Sequence, residues 1–468
     1  MKPTFESLAL SPSLVAVLQD LGYESPTAIQ AAAIPALLEG RDVIGQSQTG
    51  SGKTAAFGLP ILQKLDLESR TLQALVLCPT RELCAQVARE LRKLGRAHAG
   101  FAVLELVGGK PSRAQRDALE RGVHVAVGTP GRTLDHLRRE VLDLSSIKTV
   151  VLDEADRMLD MGFGVDVGEI LAGLPAERQN VLFSATFPDS MTAISSAFRE
   201  DTLRITIETP VEEQAGIRQL KLIAPREDHF HALCWLLHSH AHESALIFCN
   251  FKASVAALVD DLADAGLSVD RLDGDLDQFQ RDQVLARFRN QSLHLLVATD
   301  IAGRGLDVEG LDLVINFELP SKPETYMHRI GRTGRAGRQG LAISIARTEA
   351  SPQLAAAEKF CGVRPEALTL DASNDPGIET LLNELTRRPK MATILISGGR
   401  KDKIRAGDIL GALTGEAGGL RGSDIGKIEL QDQLAYVAVA RSLVGKAVKR
   451  LNAGRIKGKR FRATQVGN

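Results

Sequence analysis

The stretch SQTGSGKT, residues 47–54, follows the apolar run DVIG (42–45) and opens a helical pattern. Gly50 and Gly52 allow backbone N–H groups to turn inward and cradle phosphates, with Thr49 and Ser51 between and before them. Lys53 can reach the outer phosphates, and the Thr54 hydroxyl can ligate Mg²⁺. The general pattern places Gly where Ser47 stands, and a simple tight turn before a helix is the bland alternative. About 100 residues on, VVLDEADRMLD (150–160) repeats the strand–turn–helix layout with carboxylates just past the apolar run. Adjacent carboxylates at the end of a buried strand are costly unless a cation or partner meets them. Asp153 is placed to hold Mg²⁺ through water, and Glu154 to orient and deprotonate an attacking water. An exposed acidic helix start, favoured by the helix dipole, is the competing interpretation.

Around these two segments, short apolar runs alternate with helical patterns from about residue 40 to 345. ALVLCP, HVAVGTP, TVVLDEAD and NVLFSAT each suggest a buried parallel strand ending in a turn. The rhythm pauses at ETPVEEQAG (208–216) and resumes with SALIFCN, LHLLVATD, LDLVINFELP and GLAISIA. Two tandem α/β domains fit this better than one. The last 78 residues change order to strand, helix, two strands, helix, strand, a split βαββαβ pattern with KRFRAT as its last strand. The expected layout is a first domain over 1–207, a linker at 208–216, a second domain over 217–372, a linker at 373–390 and a tail domain over 391–468.

Composition sets limits. The 468 residues are 44% hydrophobic and only 4% aromatic, and no apolar run is long enough to span a bilayer. The N-terminus carries Glu6 and Asp20 within its apolar pattern and lacks a signal peptide's core. Five scattered cysteines with no C-x-x-C pair point to a reducing compartment without disulfides or zinc. Residues 391–468 hold 15 Lys and Arg against 6 Asp and Glu, a net of +9, whereas the other 390 residues net −10. The overall charge of −1 thus hides an acidic body and a basic tail, an asymmetry that suggests nucleic acid or an anionic surface.

Over about residues 3–370 the motifs and their order resemble those of the DEAD-box ATP-dependent RNA helicases. The resemblance implies two RecA-like parallel-sheet domains, ATP and Mg²⁺ as cofactors, and RNA as partner. GYESPTAIQ (22–30) resembles the segment in which Gln30 reads the adenine edge, with Tyr23 stacking nearby and Phe5 in support. SAT (184–186) resembles the segment whose Ser184 and Thr186 couple Asp156 to the nucleotide's state. HRIGRTGR (328–335) places Arg332 and Arg335 as arginine fingers, with His328 in a coupling role, and TDIAGRGLD (299–307) brings Asp307 to the ribose. Gly303 stands where the family usually has Ala. A solvated basic turn is the alternative for the arginines.

The same resemblance assigns RNA contacts to Arg81, Gly109, Thr129, Arg132, Asn250, Gln278, Arg281 and Thr299. These groups grip phosphate and sugar and leave base edges unread. LDGD (272–275) departs from the family's usual His-Gly, and Asp273 receives no role.

The tail is similar to an RRM-like RNA-binding domain. Its usual stacking positions hold Leu395 and Leu434, so only Tyr436 supplies a ring and base stacking across the sheet would be weak. Lys446, Lys449 and Arg450 line a helix, and GRIKGKRFRAT (454–464) adds Lys457, Lys459, Arg460 and Arg462, with Phe461 inward. This resembles a basic patch for structured RNA, although a solvated basic face has the same composition. The whole arrangement resembles the DbpA group of DEAD-box helicases. That implies a cytoplasmic, monomeric enzyme with no membrane partner, targeted to a hairpin of 23S ribosomal RNA and acting on large-subunit assembly particles. An ATP-gated RNA clamp and a nonspecific RNA chaperone are the alternative functions.

Overall fold

The computed structural model describes residues 3–47, 51–187, 191, 194, 198–199, 201–207, 216–240, 242–303, 311–334, 339–369, 376–415 and 419–467. The chain divides into two units, Met1–Gln214 and Ala215–Asn468.

The first unit is built on a seven-stranded parallel sheet. Its strands are β1 (Val43–Gln46), β2 (Ala74–Leu77), β3 (Val103–Leu106), β4 (Val125–Gly128), β5 (Thr149–Asp153), β6 (Gln179–Ser184) and β7 (Leu203–Thr206), in the order β3-β4-β2-β5-β6-β1-β7. Every residue of β2, β4, β5 and β6 is buried, as a sheet covered by helices on both faces requires. The Arg81–Leu94 helix shows how the cover is made. Thr80 caps its start by accepting the Leu83 N–H at 3.3 Å, and Cys84, Val87, Ala88, Leu91 and Leu94 face the core at helical spacing.

The second unit repeats the theme. β8 (Ile217–Ile223), β9 (Ala245–Cys249), β10 (Val269–Leu272), β11 (Leu295–Thr299), β12 (Leu313–Asn316), β13 (Gly340–Ala346) and β14 (Glu366–Leu368) form a parallel sheet in the order β10-β11-β9-β12-β13-β8-β14. It also contains the tail sheet, β15 (Met391–Ile396), β16 (Ile425–Leu430), β17 (Ala435–Ala440) and β18 (Ala463–Val466), antiparallel and ordered β16-β17-β15-β18. The expected class, two parallel-sheet domains and a small βαββαβ domain, is the one observed. One element differs. The last strand begins at Ala463 and not at Lys459, and ahead of it Lys457 (φ 51°) and Gly458 (φ 80°) form a two-residue turn that pairs Ile456 with Lys459. Positive φ at both central residues matches the tight hairpin turn, which glycine at the second position eases.

Strand alternation gives the tail sheet two faces. Ile394, Ile396, Ala435, Val437 and Val439 point into the tail's own core. The other face meets the Gln278–Arg289 helix of the same unit, where Tyr436, Val466 and Ala286 are buried together with Leu395 against them. Asn290 Nδ2 donates to Thr393 Oγ1 at 3.2 Å, the Ser292 and Thr393 hydroxyls lie 2.6 Å apart, and Arg289 pairs with Glu429 at 2.8 Å. This corrects the expectation that Tyr436 offers a weak stacking surface. Its ring is 0% exposed, because a helix covers the face on which it stands.

Candidate nucleotide and RNA site

The phosphate-loop residues sit between the end of β1 and the start of the Lys53–Lys64 helix; Thr49 and Gly50 lie outside the described residues. Gly52 caps that helix at φ 91°, and a Cβ there would stand 2.4 Å from Gln30 Nε2. Both the backbone conformation and the close approach therefore require glycine. Gln30, only 1% exposed, is locked by two bonds: its Oε1 accepts the Thr27 N–H at 2.9 Å and its Nε2 donates to the Gly52 carbonyl at 3.1 Å. Thr27 Oγ1 donates to the Ser51 carbonyl at 2.7 Å. The segment expected to read adenine and the expected phosphate loop are thus tied directly together. Ser47 joins them: its carbonyl accepts Lys53 Nζ at 3.0 Å, and its hydroxyl lies 3.0 Å from that of Ser51. Thr54 follows as the second residue of the helix. Tyr23 donates to Glu90 at 2.7 Å and meets the buried Phe5 edge-on, with ring centroids 6.2 Å apart.

β5 ends in the carboxylate cluster. Asp153 is 3% exposed, and its Oδ1 has no hydrogen-bond partner among the described residues. Burial pushes its pKa up to about 6, with nearby Lys53 opposing the shift and Glu154 adding to it. Glu154 takes the left-handed conformation (φ 52°) at the start of the short Ala155–Asp160 helix, a backbone strain for a non-glycine residue. Its carboxylate contacts the guanidinium of Arg157, which is 1% exposed and has two further nitrogens without partners among the described residues. Asp156 links this helix to the end of β6. Its Oδ2 accepts the Thr186 N–H at 2.9 Å and hydroxyl at 2.8 Å, and its own N–H donates to Ser184 Oγ at 3.3 Å. Among the described residues no three His, Cys, Asp or Glu side chains form a metal cluster. One carboxylate and one hydroxyl with substrate phosphates is the arrangement Mg²⁺ typically uses instead.

In the first unit the assigned RNA residues gather at the carboxyl ends of β2, β3 and β4. Arg81 begins a helix and reaches Gly108, where an added Cβ would meet its guanidinium at 3.0 Å; Gly109 has φ 77°. Thr129 caps the Pro130–Arg138 helix. Arg132 donates to Gln115 Oε1 at 3.1 Å and pairs with Asp135 at 3.0 Å. Gln115, buried, also donates to the Val107 carbonyl at 2.8 Å and accepts from His136 Nε2 at 2.7 Å. Burial, then Arg132, lowers the pKa of His136. Neither Gln115 nor His136 is singled out by sequence, since a buried amide on a mostly polar helix has no local signature.

In the second unit Asn250 follows β9 and Thr299 ends the adjacent strand β11, while Gln278 and Arg281 lie in the first turn of the Gln278–Arg289 helix. Gln278 Nε2 donates to Asp282 at 2.8 Å. The organising residue here is Arg329, one position from the assigned His328. It is 1% exposed and donates to Asn250 Oδ1 at 2.8 Å, Asp300 Oδ2 at 2.8 Å, Asn316 Oδ1 at 3.2 Å and the Glu318 carbonyl at 2.6 Å, with its guanidinium over the Phe248 ring. A Cβ at Gly303 would lie 2.5 Å from that ring. Glycine there makes room for Phe248. Arg332 is 5% exposed and its Nε lies 3.4 Å from the His328 carbonyl. Asp307 and Arg335 lie outside the described residues. Asp273, assigned no role, is buried and accepts the Asp275 N–H at 2.9 Å.

The DEAD/DEAH box helicase family matches residues 27–194, the helicase conserved C-terminal domain matches 228–337, and the DbpA RNA binding domain matches 393–465. The ATP-dependent RNA helicase DbpA of Escherichia coli (strain K12) is 46% identical over 458 residues, covering 97% of each chain. This chain belongs to the DbpA-type DEAD-box ATP-dependent RNA helicases. The DEAD-box helicase CshA of Bacillus cereus (strain ATCC 10987 / NRS 248) is 44% identical over 351 residues, 75% of this chain and 67% of that protein. Among solved structures, S. cerevisiae Dbp5 bound to RNA and ADP BeF3 aligns with a TM-score of 0.72 and 32% identity, over 82% of this chain and all of that one. The DbpA-type helicase described here is accordingly an ATP-binding, RNA-binding hydrolase, and its tail is the RNA-binding domain that marks the type.

Proposed function

We propose that this helicase is targeted by its tail to a hairpin of 23S ribosomal RNA and locally unwinds nearby short duplexes during large-subunit assembly, as a cytoplasmic monomer. One observation supports a structured target most: the tail sheet's outer face is covered, while Lys446, Lys449, Arg455, Lys457, Lys459, Arg460 and Arg462 are exposed on the tail's second helix and the segment after it, with Arg450 half-buried among them. A basic helix and turn without a free stacking sheet suit the phosphates of a folded RNA better than splayed single-stranded bases. The ribosomal address itself comes from likeness to the DbpA group. We further take 1–207, 217–372 and 391–468 as the three domains, joined at 208–216 and 373–390.

In the catalytic cycle Gly50, Ser51, Gly52 and Lys53 hold the phosphates of ATP, and Gln30 reads the adenine. Thr54 and Asp153 would hold Mg²⁺, which neutralises phosphate charge when bound; the unpartnered, buried Asp153 oxygen fits such a cation. Glu154 positions water and takes its proton. Asp156, bonded to both Ser184 and Thr186, carries the state of the carboxylate cluster to the end of β6. Arg332 and Arg335 stabilise the transferring phosphoryl group and Asp307 the ribose, on the family resemblance. ATPase activity against a panel of RNAs tests the targeting. A 23S hairpin fragment should stimulate at far lower concentration than random RNA of equal length, and equal stimulation would refute it.

A further inference from the structure

Among the described residues five large apolar side chains are exposed, and two of them begin helices that pack on opposite faces of the second parallel sheet, both at its carboxyl edge. Phe251, 67% exposed, caps the Lys252–Asp264 helix that follows β9. Phe279, 48% exposed, is the second residue of the Gln278–Arg289 helix that follows β10. The loop that leads into the second helix meets the start of the first. Lys252 pairs with Asp275, and a Cβ at Gly274 would lie 3.4 Å from Lys252 Cε. Each ring stands beside residues assigned to the RNA backbone: Asn250 precedes Phe251, and Gln278 and Arg281 flank Phe279. In a chain with only 4% aromatic residues, two solvent-facing phenyl rings at this edge call for an occupant.

We propose that Phe251 and Phe279 are stacking platforms for unpaired bases of the RNA strand held along this edge. The proposal rests on the assignment of Asn250, Gln278 and Arg281 to RNA. The surroundings suit a nucleotide better than an apolar partner. The first turns of two helices offer N–H donors and positive dipole ends to phosphates. The Lys252–Asp275 pair is exposed at both ends (55% and 61%), so the ammonium exchanges readily to a phosphate. A ring meets the base while donors meet the backbone, the combination by which single strands are held without sequence preference. The tail sheet cannot supply such rings, because Tyr436 is buried. The core thus carries the base-stacking function that the RNA-binding domain lacks.

The test uses the full-length protein with a non-hydrolysable ATP analogue. Binding of an oligo(A) RNA and of an abasic ribose-phosphate strand of equal length is measured for wild type, Phe251→Ala, Phe279→Ala and the double variant. Both positions are exposed, so folding should survive; circular dichroism confirms it. Stacking predicts a loss of about tenfold per ring for oligo(A), with abasic binding and the salt slope unchanged. Phe279→Trp should retain affinity, and 2-aminopurine in the strand should be quenched by wild type and not by the double variant. Unchanged oligo(A) binding, as expected if the rings dock a protein, overturns the proposal, and so does an equal loss on both strands. Gln278→Ala with Arg281→Ala separates stacking from the backbone assignment. If that pair weakens both strands while the phenyl variants change neither, stacking fails and the backbone assignment stands; if it weakens neither strand, the backbone assignment fails.

Discussion

Tyr436, on the outer face of the tail sheet, packs against Ala286 in the Gln278–Arg289 helix with no ring surface left exposed. The RNA-binding domain is therefore anchored to the second parallel-sheet domain through the face that could otherwise hold bases. Thr393 with Asn290, and Glu429 with Arg289, fix the register of that packing. That leaves the basic helix and turn as the RNA-binding surface proposed for the tail.

This packing sets the cost of substituting Tyr436. Tyr436→Ala should destabilise the second unit by about 3–5 kcal/mol, the range for deleting a buried aromatic ring. Tyr436→Phe should cost under about 1 kcal/mol or stabilise, because the hydroxyl is buried without a partner among the described residues. Chemical denaturation of both variants checks this. Equal destabilisation would show that the hydroxyl has a partner.

Asp153 makes stability depend on pH in a defined direction. Its folded pKa lies near 6 against 3.8 for the free side chain, so the native state binds the extra proton between those values. Stability from this group is full below about pH 4 and falls as pH rises through 6. Asp153→Asn should therefore raise the denaturation midpoint of the nucleotide-free protein at pH 7.5, by an amount on the order of 3 kcal/mol in stability. The gain should vanish near pH 4, while Mg²⁺-dependent ATP hydrolysis is lost. A stabilisation that persisted unchanged at pH 4 would contradict a charge-based origin.

Lys53 and Glu154 should separate binding from chemistry. Lys53→Ala removes the buried ammonium opposite Asp153 and should weaken ATP binding about 10- to 100-fold, as expected for a charge-assisted bond. Glu154→Gln should keep ATP affinity within about twofold while turnover falls by at least about 100-fold, the range for losing a general base. Calorimetric titration beside steady-state turnover decides it. Equal loss of ATP affinity in both variants would mean that Glu154 also holds the phosphates.

The phosphate loop and carboxylate cluster were legible in the sequence because each is a local run whose chemistry is complete within about ten residues. The parallel sheets were legible for a similar reason, since β2, β4 and β9 are unbroken apolar runs. What escaped was set by neighbours distant in the chain. Arg329 stands in the same run as Arg332, and nothing local distinguishes the buried hub from the assigned finger. Tyr436 alternates with core residues in AYVAVA, a pattern that shows it on the opposite face but not what covers that face. The cover comes from Ala286, 150 positions earlier. The turn at Lys457 and Gly458, just ahead of the expected strand, escaped because a Lys there adopts positive φ, which no propensity favours.

If the tail recognises folded RNA with its basic surface and not with its sheet, the salt dependence of binding must follow the basic residues. The decisive measurement is hairpin affinity of the intact protein from about 50 to 200 mM salt, a range over which phosphate neutralisation dominates. Intact protein is needed because truncation near Pro389 would uncover Ala286 and Asn290. Changing Lys457, Lys459, Arg460 and Arg462 together to Ala should weaken 23S hairpin binding. It should also flatten the dependence of log affinity on log salt by roughly 0.7–0.9 for each phosphate that is no longer neutralised. Tyr436→Phe should leave both affinity and slope as in wild type. An unchanged slope in the basic variant, together with weakened binding by Tyr436→Phe, would contradict recognition by the basic surface.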